Sequence, residues 1–530
     1  YYGRGQTKNT MSTHGSLKSE YMSTAKRLIS GSAASWARIG ITILTQVALV
    51  PIFLSYWDVK TYGFWIAIQA LVNVLSTFDR GHNDFLEYEF LKIGPEQREK
   101  IGFLLSSGIA VTILIGIVEL IMIGIACFLM NVGVLLGEGE IQGDGVRSQI
   151  GSALFIQWIS WTLTNLIGLY FRALSAYGYF PRVGWWNVLL AIVSSMIPVL
   201  SVVNGGNLVT ASIGAMVGTM TVLLFQYLDI VRLLKKERIS QKDKSLKVGF
   251  GNYKTSFGLS FRYFLDNFKQ QGVRLILAPL SGMVGLAAFS TTRTVANVTQ
   301  QGLLTVTHPL MPELMRFLRH KEQEKMEASF GTVWFVLVSF LAPLVLVLQV
   351  IAPPFFSVWT KGQIEFHPLL FASLSLGVLF FAYAQPAMAV LVGNNLLRQQ
   401  MLISIVSTLT VIIVTLLSVP YMGILGAGLA LLAAELVGAV GFIRYAGNWL
   451  TGNHLYWPEK AANIASVSVW IAAISMGAVS VFPQVKWPVL CLGLVLLIWN
   501  ARRYWMNLPL LVLQRVYAMT DKLSILTKMI

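Results

Sequence analysis

Charge is scarce in this sequence. Only 12% of its 530 residues are Asp, Glu, Lys or Arg, against about 25% in an average soluble chain. With 55% hydrophobic residues and a mean hydropathy of +0.65, that shortage excludes an ordinary soluble domain and predicts an all-α polytopic membrane protein. Cysteine is nearly missing too. Cys127 and Cys491 both lie in apolar runs, which argues against a disulfide framework or a cysteine zinc site. His308, His320, His367 and His454 are scattered without metal-ligand spacing, so no metal and no cofactor are expected. There is no P-loop, no GxSxG and no HExxH. The outer loops are short for a membrane glycosyltransferase or ligase. The chain reads as a non-enzyme.

The net charge is nevertheless +16. In a soluble protein that would suggest nucleic acid; here the basic residues sit in short connections between apolar runs, the positive-inside pattern. Nucleic acid is therefore not an expected partner, and membrane lipids are. The polar run to about Ser23 lacks the apolar core of a signal peptide, and Met11 and Met22 are alternative starts.

Hydropathy predicts fourteen spans. Seven cover roughly 28–54, 61–78, 101–130, 149–175, 184–203, 208–231 and 256–279. Seven more cover roughly 281–307, 329–357, 367–392, 400–419, 423–447, 461–482 and 485–501. Alternate connections carry the Lys and Arg, from Lys18, Lys26 and Arg27 to Arg502 and Arg503, which puts both termini on the cytoplasmic side. The division that follows is linear. It has an N-terminal segment 1–27, a six-helix bundle 28–231, a basic linker 232–255, a second six-helix bundle 256–447, and two extra helices with an amphipathic tail over 448–530. The acidic, Gly-rich stretch 131–148 reads as a flexible outer loop, since its spacing does not match an EF-hand.

The seventh span is the odd one. SFGLSFRYFLDNFKQQGVRLILAP carries Arg262, Asp266, Lys269, Gln270 and Arg274, which at about 100° per residue share an arc of about 140°. Cations inside a bilayer cost about 2.5–3.5 kcal/mol each on insertion scales, so such residues normally face a bundle interior or wet cavity. The expected cargo is polar and anionic. Arg38 lies about 15 Å into the first span, and Arg293 is central in the eighth beside Thr292, Thr294, Asn297 and Gln300. Both are cavity candidates. Asp266 is placed to neutralise Arg262 and Lys269. Glu119 and Glu435 read as lone acids in apolar runs, suited to ion coupling or to a structural hydrogen bond. Asp229 and Arg172 read as boundary residues, and Trp36, Trp57, Trp65, Trp158, Trp161, Trp185, Trp186 and Trp359 as interfacial belts.

These residues carry a resemblance. The first span SWARIGITILTQVALVPIFLSYW, the following YGFW, the second span's TFDRG (Asp79-Arg80-Gly81), and GLAAFSTTRTV running into HPLMPEL resemble the polysaccharide-exporter branch, with the O-antigen flippases, of the multidrug/oligosaccharidyl-lipid/polysaccharide (MOP) exporter superfamily. The resemblance implies a MATE-like fold, two bundles around a central cavity working by alternating access. It also implies an undecaprenyl-pyrophosphate-linked oligosaccharide as substrate, in a bacterial inner membrane. Arg38, Arg262, Lys269, Arg274 and Arg293 would then hold the pyrophosphate, since Arg forks suit phosphate oxygens. Asp266, Gln270, Asn297, Glu119, Glu435 and Asp79 would support them or couple transport to H+ or Na+. For Asp79, helix capping or loop ordering is an equal reading. The last two spans resemble the extra pair of fourteen-span members and are candidates for a lipid-tail groove. A polysaccharide polymerase is a candidate partner, and a monomer suffices. The alternatives are a cation-coupled multidrug exporter, which would favour an acidic cavity, a membrane polymerase or ligase, and a passive scramblase.

Overall fold

The computed structural model describes residues 9–128, 144–241 and 243–508. Among them there is helix and no strand. The predicted outer loop over 131–148 falls largely outside the described residues, as does the amphipathic tail beyond Leu508.

The long helices are α1 (Asn9–Tyr56), α2 (Val59–Leu75), α3 (Thr77–Ile93), α4 (Arg98–Phe128), α5 (Asp144–Ser175), α6 (Phe180–Val203) and α7 (Leu208–Lys236). They continue with α8 (Leu246–Asn267), α9 (Val273–His320), α10 (Gln323–Val336), α11 (Ala342–Trp359), α12 (Pro368–Gly393), α13 (Leu397–Met422), α14 (Ile424–Gly452), α15 (Glu459–Val481) and α16 (Lys486–Met506). Thirteen stretches are long and apolar enough to cross a membrane. One of them, Leu246–Leu304, is 59 residues long, or about 88 Å of helix, far more than one crossing needs. It turns at Gly282, whose φ of 69° and ψ of 176° lie where a side chain is strained. The described residues thus hold fourteen crossings, and the chain is a multi-pass membrane protein.

Two corrections follow from the helix ends. The basic linker is mostly helix: α7 runs on through Lys236 and α8 begins at Leu246. Lys235 and Lys236 fall in the last turn of α7, where cations complement the helix dipole. Helix also continues past the predicted end of the second span at 78, since α3 carries Asp79, Asp84, Glu87 and Glu89 through to Ile93.

The chain forms two compact units, and not by linear halves. Unit 1 holds 9–45, 78–128 and the described part of 152–260; unit 2 holds 46–77, 144–151 and 261–508. Residues 46–77 belong to unit 2 for a visible reason. Asn267 Nδ2 donates to the Asn73 carbonyl at 2.5 Å, and a Cβ on Gly63 would stand 2.4 Å from the Met283 carbonyl oxygen. Only glycine lets those two backbones approach so closely.

Unit 1 buries Leu86, Phe90, Ile101, Leu105, Leu169 and Phe171 together. In unit 2, α14 presents Ala427, Ala430, Ala434 and Gly438 as a buried stripe, the small-residue spacing that lets membrane helices pack without a solvent-driven force. The last two spans, expected as an appended pair, are built into unit 2. The Tyr504 hydroxyl donates to the Gly331 carbonyl at 2.9 Å, and Gln349 donates to Ser480 Oγ at 2.9 Å. The tryptophan belt is corrected in part. Trp36 and Trp185 are exposed, but Trp57, Trp65, Trp158 and Trp359 are buried. Trp57 and Trp65 pack around Phe53 with centroids 5.1 and 5.9 Å away. Hydropathy fixes depth along a span and says nothing about which way a ring points.

Candidate functional site

In unit 2 the polar face of the seventh span does not stay α-helical. Phe268–Gly272 forms a π-turn, which holds one residue more than an α-turn and is a form common at functional sites. The wider turn brings both Gln270 and Gln271 to one cavity and leaves the Gln270 carbonyl free to accept from elsewhere. Arg293 takes it: one guanidinium nitrogen donates to the Gln270 carbonyl and another to Gln270 Oε1. Arg293 is only 5% exposed, so these bonds replace the water it has lost.

The cavity measures about 430 Å³, and Arg262, Asp266, Lys269, Gln270, Arg293 and Asn297 are among its lining residues. Its acids are placed against its cations. Arg262 Nε lies 3.6 Å from Asp266 Oδ2, whose other oxygen accepts from Ser404 Oγ at 2.5 Å. Lys269 Nζ lies 3.0 Å from Glu435 Oε1, and Gln270 Nε2 donates to the same oxygen at 3.2 Å. A smaller pocket sharing Gln270, Arg293, Asn297 and Gln300 reaches Glu435 and Gly377. Glu435 is therefore not a lone acid. Asp266 pairs with Arg262 and not with Lys269.

Two expectations for this face are corrected. Arg274 is not among the cavity's lining residues; it sits half-buried one turn on, donating to Gln271 Oε1 at 2.8 Å. The shared arc describes angle and ignores position along the axis, and the cavity ends before Arg274. Thr292 and Thr294 are spent inside their own helix, on the carbonyls of Ala288 and Ser290.

Unit 1 holds different chemistry. Arg38 lines a cavity of about 410 Å³ with Glu87, Arg172, Asn187 and Gln226, in a unit separate from the other four predicted cations. Arg172, near the end of its span, does more than mark a boundary: it bridges Asp84 at 2.7 Å and Glu87. Asp229 is buried and accepts from Arg182 through both oxygens, at 2.7 and 2.5 Å, and from Trp186 Nε1 at 2.9 Å. Sequence reasoning missed Arg182. The signal was Asp229 itself, since an acid in an apolar run requires a cation at the same depth.

Asp79 and Glu119 are close neighbours, so Glu119 is not alone. Asp79 is buried and accepts from Trp161 Nε1 at 3.0 Å. Two neighbouring carboxyls disfavour a double negative charge and suit the holding of one proton between them. His82 stands nearby on α3, its Nδ1 3.2 Å from Ser256 Oγ. Gly81 makes room for that approach, since a Cβ there would lie 2.4 Å from the Ser260 backbone.

Comparison with known proteins places the fold. No protein-family model matches the chain, and no curated sequence does. Solved structures do match. The fold is similar to that of solved transporters, one of them described as a member of the MOP superfamily. A structure of the lipid II flippase MurJ in an inward closed conformation is similar with a TM-score of 0.64 at 15% identity, covering 91% of this chain and 99% of that one. An inward-facing MATE-family multidrug resistance transporter of the MOP superfamily is similar with a TM-score of 0.60 at 11% identity, covering 77% and 96%. The Vibrio cholerae MATE transporter VcmN gives 0.56 at 14% identity, covering 81% and 98%. These relatives by fold are transporters and a flippase, not enzymes.

Proposed function

We propose that this protein is a flippase for a lipid with an anionic phosphate headgroup, an undecaprenyl-pyrophosphate-linked oligosaccharide made on the cytoplasmic leaflet. The supporting observation is one cavity, among spans, lined by Arg262, Lys269 and Arg293. Three cations against Asp266 and Glu435 leave an excess of positive charge, and a pyrophosphate supplies the opposite sign with oxygens that suit guanidinium forks. The similarity to a protein named as a lipid II flippase points the same way. In this reading both termini lie in the cytoplasm of a bacterium, the sugars pass through the wet cavity, and the lipid tail stays in the bilayer. The Asp79–Glu119 pair exchanges its proton, or Na+, to couple transport to an ion gradient.

A second reading is an exporter of small organic cations, which the carboxyl pair and the likeness to MATE transporters favour. One assay separates them. Reconstituted protein is given fluorescent undecaprenyl-pyrophosphate oligosaccharide, and headgroup access to an external enzyme is followed. Wild type transfers the lipid, while Arg293→Ala and Arg262→Ala, both checked for folding, do not. Transfer untouched by both substitutions would remove the cavity from the mechanism. Absence of transfer, with ion-driven efflux of small cations, would favour the exporter.

A further inference from the structure

We propose that the Glu435 carboxylate is a resident counter-ion, occupying the place of a ligand phosphate oxygen until the headgroup displaces it. The inference rests on the cationic-cavity reading above and extends it to how the site lets go. Each cavity cation is engaged, but not in the same way. Arg293 is held by a neutral amide and a carbonyl, which anchor it without cancelling its charge. Asp266 stands 3.6 Å from Arg262 and is 46% exposed, so water weakens that pair. Lys269 and Glu435 form the close pair, 3.0 Å apart with side chains 16% and 13% exposed.

One oxygen of Glu435 makes this pair more than a neutraliser. Oε1 accepts from Lys269 and also from Gln270 Nε2, and Gln270 Oε1 in turn accepts from Arg293. A single anionic oxygen therefore sits at the junction of a chain running Lys269, Glu435, Gln270, Arg293. A phosphate oxygen entering here would meet the same ammonium and the same amide. Opposite Glu435 stands Gly377, where an added Cβ would lie 3.7 Å from the Glu435 Cγ; with no side chain there, the displaced carboxylate has somewhere to go.

The arrangement answers a problem that bare cations would create. In a low-dielectric site a multiply charged headgroup facing unpaired Lys and Arg is bound tightly and released slowly. Where an internal carboxylate waits for the same ammonium, the ligand exchanges one anion for another, and the returning Glu435 replaces it on departure. Glu435 is thus a positioning residue that sets affinity and release, and its effect runs through Lys269.

The test uses full-length protein in detergent, with farnesyl pyrophosphate as a soluble prenyl pyrophosphate probe. E435Q keeps the side chain's size and its acceptor oxygen while removing the charge. Equilibrium binding is expected to tighten about tenfold with a slower off-rate, and the gain should disappear when K269M is added, a coupling read by the double-mutant cycle. A purely structural role for Glu435 would lower thermal stability and leave affinity unchanged or weaker. Wild-type binding with no gain in E435Q, or a gain that survives K269M, overturns the counter-ion and leaves the flippase reading intact. No binding by wild type or E435Q overturns both.

Discussion

Replacing Gly282 by alanine isolates the conformational demand of the turn between the seventh and eighth crossings. Its φ of 69° and ψ of 176° fall in a region populated almost only by glycine. An added Cβ would meet nothing within 4 Å, so steric clash contributes nothing and the whole effect is backbone strain. Strain of this kind costs about 1–3 kcal/mol. Gly258 provides the control, because it lies inside α8 and a Cβ there also meets open space. Alanine at that helical position should stabilise by about 0.5–1 kcal/mol. Two Gly→Ala changes into empty space are therefore expected to differ by about 1.5–4 kcal/mol, with opposite signs. Equilibrium unfolding of the purified protein in detergent–SDS mixtures, followed by tryptophan fluorescence, measures both. The turn also sets the part of α9 that carries Arg293 against the π-turn, so G282A should loosen the Arg293–Gln270 bonds and slow lipid transfer. Stability of G282A equal to that of wild type would refute the strained turn.

Three further outcomes follow from the same contacts. Arg293→Lys keeps the charge but loses the planar fork on Gln270; forfeiting one charge-assisted bond of about 1.5–3 kcal/mol should cut lipid transfer about ten- to a hundredfold at equal folded protein. Transfer at the wild-type rate would show that charge alone matters. Arg172→Met leaves Asp84 and Glu87 without their shared cation. All three side chains are partly exposed, so the loss should be smaller than the 3–5 kcal/mol of a fully buried pair, about 1–3 kcal/mol, measured by unfolding. Glu119→Gln keeps the side chain's size beside Asp79 but has no proton to give up. Stability should stay near wild type while transport loses its dependence on a pH gradient; an unchanged dependence would assign coupling elsewhere.

The sequence disclosed the spans because apolar run length is a one-dimensional property, and it disclosed most of the cavity face because Arg262, Asp266, Lys269 and Gln270 repeat within one helix. It could not disclose what requires two helices. Glu119 looked alone because Asp79 is 40 positions away on another element, and Glu435 looked alone because Lys269 is farther still. Arg274 was included by angle and excluded by depth. The span limit near Gly282, inside α9, was found, but the π-turn between α8 and α9 was not, since nothing in FKQQG departs from ordinary helix composition. The linear halves failed at 46–77, where the close approach of Gly63 to Met283 decides the grouping and no local pattern announces it.

The wide turn at Phe268–Gly272 has an implication for how this helix tolerates change in length. Removing one residue from an ordinary helix swings everything beyond it by about 100°, which here would carry whole faces from cavity to lipid. At the π-turn the extra residue is already absorbed locally, so a single deletion there would restore a regular α-helix with Arg262 and Arg293 still facing as they do. What would vanish is the carbonyl that the wide turn leaves open. A position forgiving for length is thus also one where a shorter chain keeps its fold and loses its grip on Arg293.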